Sequence, residues 1–113
     1  MNSMGLDKTW VNPVKYASVI ATSDGDNQIV TAVTGRRIRG VGATFAVNAQ
    51  GTAQWQDDGG ANMSGAASYA QYGGYSADSD PNIGLFQTAV GQGVDLNMGA
   101  GVDGLGHFAY LEV

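Results

Sequence analysis

The stretch Arg36–Asn48, RRIRGVGATFAVN, running on through Gln50-Gly51 into Thr52–Asp57, TAQWQD, decides the fold. In TAQWQD, Ala53 and Trp55 fall on one side while Thr52, Gln54 and Gln56 fall on the other, the alternation of a half-buried strand. The longer piece breaks phase. Ile38 occupies the even face, whereas Val41, Phe45 and Val47 occupy the odd one. A bulge at Gly40 or Gly42 restores a single apolar face, and glycine is the residue that a bulge or sharp bend prefers. Working outward, the chain has 18 Gly in 113 residues, and after Gly25 no glycine-free run exceeds nine residues. An ordinary helix runs about 11–12 residues, and a glycine inside one costs about 1 kcal/mol relative to Ala. Short strands fit this spacing; long helices do not.

Eight strand-length segments follow: Val14–Thr22, Asn27–Thr34, Arg36–Asn48, Thr52–Asp57, Ser68–Tyr75, Gly84–Val90, Val94–Met98 and Leu105–Val113. Loops rich in Asp, Asn, Pro and Gly separate them, among them Asp24-Gly25-Asp26 and Asp57-Asp58-Gly59-Gly60. The expectation is an all-β chain, a β-sandwich or jelly roll of about eight antiparallel strands. Val94, Leu96 and Met98 share a face opposite Asp95 and Asn97. The last segment is apolar on both faces, with Leu105, His107, Ala109, Leu111 and Val113 on one side and Phe108 and Tyr110 on the other. Such a strand either lies between its sheet and a loop or turns its second face to a partner. Ala61–Tyr72 reads as extended, since Gly65 interrupts it and Gly73-Gly74 ends it. Residues 1–13 read as a polar N-terminal arm held against something, with 14–113 as the domain.

Composition removes several functions. Only 13% of residues are charged, about half the usual share. Ten Asp and Glu against five Lys and Arg give a net charge of −5, the wrong balance for a nucleic-acid or anionic-membrane partner. There is no Cys, hence no disulfide framework, thiolate metal site or cysteine nucleophile. No apolar run approaches the ~20 residues of a spanning helix. MNSMGLDKTW lacks a positive region followed by an apolar one, so no signal peptide is expected. The chain reads as an acidic, intracellular product that is no enzyme and needs no cofactor.

The chemical motifs agree. Gly99-Ala100-Gly101-Val102-Asp103-Gly104 has the G-x-G-x-x-G spacing, but only nine residues follow, too few for the helix and strand of a dinucleotide fold. His107 is the only histidine, and no G-x-S-x-G elbow accompanies it; a structural or solvent-facing role is expected, and no metal. The pairs Asp24/Asp26, Asp57/Asp58 and Asp78/Asp80 suit turns, where Asp bonds its own backbone, although such pairs also chelate cations. Arg36, Arg37 and Arg39 hold three of the five positive charges, for ion pairs with the abundant Asp or for an intermolecular contact. Trp10, Tyr69, Tyr72 and Tyr75 are core or contact aromatics.

Three motifs, Ile29–Gly40 (IVTAVTGRRIRG), Leu85–Gly91 (LFQTAVG) and Gly104–Val113 (GLGHFAYLEV), resemble a family of small tailed-phage capsid decoration, or cement, proteins. The shared elements are a V-x-A-V-x-G-[KR]-[KR]-I-R hairpin, an F-x-T-A-x-G strand-turn and a closing G-H-x-x-Y-x-E-V strand, over roughly residues 16–113. The Asp57–Ala61 loop and the Ser68–Asp80 segment depart from the family pattern, and Met1–Pro13 has no counterpart in it. The resemblance implies a jelly roll similar in shape to tumour-necrosis-factor trimers. It also implies a homotrimer on the outer capsid surface of a virion, made in the host cytoplasm, with the major capsid protein as partner. On that reading Lys8, Trp10, Arg36 and Arg37 would contact the shell or a neighbour, and Phe108 and Tyr110 would line the trimer face. The competing expectation is a receptor- or glycan-binding module using Tyr69–Tyr75 and the Asp loops.

Overall fold

A computed structural model describes residues 13–113, which form nine strands and no helix. They are β1 (Lys15–Ala21), β2 (Gly25–Val30), β3 (Ile38–Val47), β4 (Gly51–Asp57), β5 (Ala67–Tyr69), β6 (Gly74–Asp78), β7 (Phe86–Gln87), β8 (Val94–Met98) and β9 (Gly104–Glu112). Two antiparallel sheets result. The larger has the order β1-β9-β3-β6, with β7 also paired to β3; the smaller has the order β2-β8-β4-β5. The all-β sandwich expectation holds. The expected arm, with Lys8 and Trp10, lies outside the described residues apart from Pro13.

Several boundaries move, each for a local reason. Ser68–Tyr75 is two strands in different sheets, because the chain reverses at Tyr72, which has φ 63°, and Gly73. The Gly73 amide donates to the Ala70 carbonyl at 2.8 Å, and Tyr72 and Gly73 bond Val47 of β3. Gly84–Val90 contributes only the two residues of β7. The expected hairpin at Ile29–Gly40 is a crossover: β2 belongs to the smaller sheet and β3 to the larger, with Gly35 at φ 75° between them. The G-x-G-x-x-G motif is the connection from β8 to β9, with Gly101 at φ 75°.

The bulge falls where the phase break placed it. Ala109 pairs with Gly42 and Tyr110 with Gly40, so Val41 is the extra residue. Ile38, Ala43, Phe45 and Val47 are consequently all buried. From the facing sheet come Ala53, Trp55, Val94, Leu96 and Met98, each at most 4% exposed. Full burial of one large apolar side chain stabilises by about 1.5–3 kcal/mol, so this two-sided interior carries the sandwich. Its centre is aromatic: Trp55 lies 5.2 Å from Phe108 and 5.5 Å from Phe86, ring centre to ring centre. Gly40 makes room for that group, since a Cβ there would meet Phe86 at 2.8 Å and Phe108 at 3.0 Å.

The last strand reverses one expectation. Phe108 is wholly buried in the interior of its own chain, with Tyr110 half-buried beside it at 5.9 Å. Phe108 therefore has no surface to offer a trimer partner. The face of β9 that looks outward carries Leu105, His107 and Ala109.

Candidate functional site

The cross-strand register builds the two outer faces residue by residue. On the larger sheet, one row runs Ile20–Leu105–Ala46–Gly74, the next Ser18–His107–Thr44–Ser76, and the third Tyr16–Ala109–Gly42–Asp78. Eleven of these twelve residues carry no formal charge at pH 7, His107 counted as neutral; Asp78 is the exception. Tyr16 is 77% exposed, Ile20 61% and Leu105 57%, so the paired Ile20 and Leu105 form an apolar step beside a phenol. Small residues at Ala109 and Gly42 leave a shallow depression of about 280 Å³ bordered by Tyr16, His107, Ser76 and Asp78. Apart from Asp78 the face is uncharged, and it is partly apolar.

The smaller sheet presents the opposite chemistry. Its outward rows are Asp26–Asn97–Gln54 and Gln28–Asp95–Gln56, the latter extended by a bridge to Asn62. One amide ties two strands, Asn97 Nδ2 donating to Asp26 at 2.6 Å, and two hold the segment after β4: Gln56 Nε2 donates to Asn62 at 2.9 Å and Gln54 Nε2 to the Ser64 carbonyl at 2.8 Å. Asp95 sits on the central strand with only 8% of its surface exposed. Burial, then the neighbouring Asp58 carboxylate, then Asp26 and Asp57, push its pKa up to about 7.

Asp57 and Asp80 bond amides of their own turns, whereas Asp24 and Asp58 accept from loops distant in the chain. Asp57 Oδ1 accepts the Gly59 and Ala61 amides at 2.9 and 3.0 Å, Asp58 accepts Gly93 at 2.9 Å, Asp24 accepts Gly101 at 3.0 Å and Asp80 accepts Asn82 at 2.8 Å. No cluster of three or more metal-ligating side chains occurs among the described residues. The arginines do not pair with Asp as expected. Arg39 donates to Gln87 Oε1 and the Pro81 carbonyl, both at 2.9 Å. Arg36 reaches the Glu112 carbonyl at 3.5 Å, and Arg37 pairs by backbone with Val113. Among the described residues the one ion pair is Lys15–Glu112 at 3.1 Å. Arg36 and Arg37 are exposed at the end of the larger sheet.

A third feature lies between the sheets at their shared β5/β6 side. There a cavity of about 310 Å³ is walled by Phe45, Trp55, Tyr69 and Tyr75, with Ala53, Leu96 and the Ser64–Ala67 segment completing it. Phe45 stacks on Tyr75 at 5.6 Å and meets Tyr69 edge-on at the same distance. Burial raises the Tyr69 pKa, so its phenol stays neutral. Tyr69 and Tyr75 stand out in the sequence; Tyr16, Ile20 and the Asp58–Asp95 contact do not, because nothing local announces which residues a register will align.

Comparison with family models, with curated proteins and with solved structures found no match for this chain.

Proposed function

We propose that this chain is a non-enzymatic structural protein of a tailed-phage virion, a trimeric jelly-roll decoration protein that docks on the outside of the assembled capsid and stabilises it. The strand order supports the jelly roll: without the two-residue β7, eight strands lie as β1-β9-β3-β6 against β2-β8-β4-β5, the double-sheet arrangement of that fold. The observation that carries the assembly is the outer face of the larger sheet. Copies of a chain with net charge −5 repel one another, and the Asp26–Asp58–Asp95 face repels most. The β1-β9-β3-β6 face carries a single charge, Asp78 on its edge strand β6, so like copies meet there with little repulsion, and Tyr16, Ile20 and Leu105 supply its apolar area. The shell itself comes from the resemblance of Ile29–Gly40, Leu85–Gly91 and Gly104–Val113 to decoration proteins. Exposed Arg36 and Arg37 suit an acidic patch on the major capsid protein. Preference for the finished shell then stabilises it by mass action, and three copies acting together multiply weak contacts.

Light scattering at low micromolar concentration tests the trimer, with about three chain masses expected. Co-sedimentation with expanded and unexpanded shells tests the partner, and retention by expanded shells alone is the expected result. A monomer that ignores both shells would end the proposal. A second reading, a glycan-binding module, is favoured by the depression between exposed Tyr16 and the Ser76, Asp78 and His107 side chains. Saturable signals on a glycan array would select it.

A further inference from the structure

The trimer proposed above needs a joint that the outer face of the larger sheet cannot make with itself. A face that meets its own copy gives a twofold contact and stops at two chains, whereas a ring of three needs one patch to meet a different patch on the next copy. The depression on that face shows what the second patch must carry. Asp78 pairs with Gly42 across β6 and β3, and its Oδ1 lies 3.4 Å from where a Gly42 Cβ would stand. The carboxylate therefore leans across the floor of the depression. No cation answers it, since the one ion pair among the described residues is Lys15–Glu112. Tyr16, 77% exposed, stands on the opposite rim, with the Thr44 and Ser76 hydroxyls between. A carboxylate beside an open aromatic ring suits a guanidinium, which takes the first through paired hydrogen bonds and stacks on the second.

The cations of the chain narrow to one. Lys8 lies outside the described residues, Lys15 is paired with Glu112, and Arg39 is spent on Gln87 and the Pro81 carbonyl. Arg36 reaches the Glu112 carbonyl. The exposed Arg37 side chain has no hydrogen bond among the described residues, and its backbone continues the β9–β3 ladder through Val113. Ile38 beside it is inside the sandwich. Neighbours in an extended segment point to opposite sides, so Arg37 lies to the outer side and Arg36 is left for the shell. We propose that copies of this chain join end to face, the Arg37 guanidinium of one seated against Asp78 and Tyr16 in the depression of the next. The contact rests on the assembly reading and supplies its joint.

Dissociation constants of the full chain, from analytical ultracentrifugation, test it. Asp78→Arg and Arg37→Asp should each weaken self-association about tenfold or more, and the variant carrying both should return to within about threefold of the unaltered chain. Asp78→Arg also brings the net charge of −5 nearer zero, so general repulsion alone would tighten the assembly. Should a reversal disturb the fold, Asp78→Asn and Arg37→Gln form a milder cycle, whose separate losses should not add. Single variants that leave the trimer unchanged, or a double reversal no better than the worse single, overturn the contact while the trimer stands. Two chain masses for the unaltered chain overturn it in favour of face-to-face pairing. One chain mass overturns the assembly reading and this contact together.

Discussion

The two outer faces of the sandwich are built from the same number of layers and have opposite surfaces. Across β2-β8-β4, amide and carboxyl side chains bond to each other or to the adjoining 58–64 segment, so the face meets much of its own hydrogen bonding and repels another acidic body. Across β1-β9-β3-β6, Ile20, Leu105, Ala46, Ala109 and Gly42 leave hardly anything to satisfy and little to repel. A β-sandwich needs only its inner faces to fold; the outer ones are free to differ. The difference here separates a face suited to solvent from one suited to a partner.

The comparison can be broken most severely from inside the larger sheet. Gly106 of β9 lies against Thr44 and Phe45 of β3 so closely that a Cβ would overlap the Thr44 carbonyl. Gly106→Ala should therefore force β9 from β3 and cost more than about 3 kcal/mol, a steric loss comparable to severe overpacking. Chemical denaturation measures it. Gly25→Ala in the smaller sheet, at φ 80° with open space around it, should cost only about 1 kcal/mol.

Next in size is the test of the outer faces themselves. Leu105→Arg should weaken self-association at least thirtyfold, about 2 kcal/mol, as for a central contact residue. Gln54→Arg on the opposite face should leave the solution mass unchanged. Equal effects, or none, would erase the distinction between the faces.

The acidic face should also declare itself through pH. The Asp95 pKa is raised to about 7 in the folded chain, against about 3.9 when unfolded. Between those values the folded state keeps a proton that the unfolded state has lost, so stability falls as pH rises and levels off above about 7. The loss should be roughly 1–2 kcal/mol, reduced from the full shift because solvent screens a carboxyl so near the surface. Asp95→Asn should flatten the melting temperature between pH 5 and 8. Smallest of all, Lys15→Ala removes the exposed Lys15–Glu112 pair and should change stability by less than about 1 kcal/mol.

Much of the fold is legible in particular residues. Alternation in Ala53–Trp55 and Val94–Leu96–Met98 identifies buried faces, and the phase slip around Gly40 and Gly42 marks the bulge that the structure contains at Val41. These signals are local, arising from a two-residue period that each strand carries itself. The orientation of β9 was not legible, because both its faces are apolar and periodicity cannot rank them. Nor was the split of Ser68–Tyr75, which depends on Tyr72 adopting a left-handed conformation to pass between sheets.

By itself, then, the sequence determined an all-β chain, most of its strand-length segments and its acidic, cysteine-free character, since composition and period act within a few residues. Only the tertiary structure decided that Phe108 faces inward, that Tyr16, Ile20 and Leu105 share one face, and that Asp58 and Asp95 meet. It also decided that Trp55 borders a cavity with Tyr69 and Tyr75. Each of these joins residues distant in the chain, and which ones meet is set by strand pairing and sheet packing, a global choice that no local pattern records.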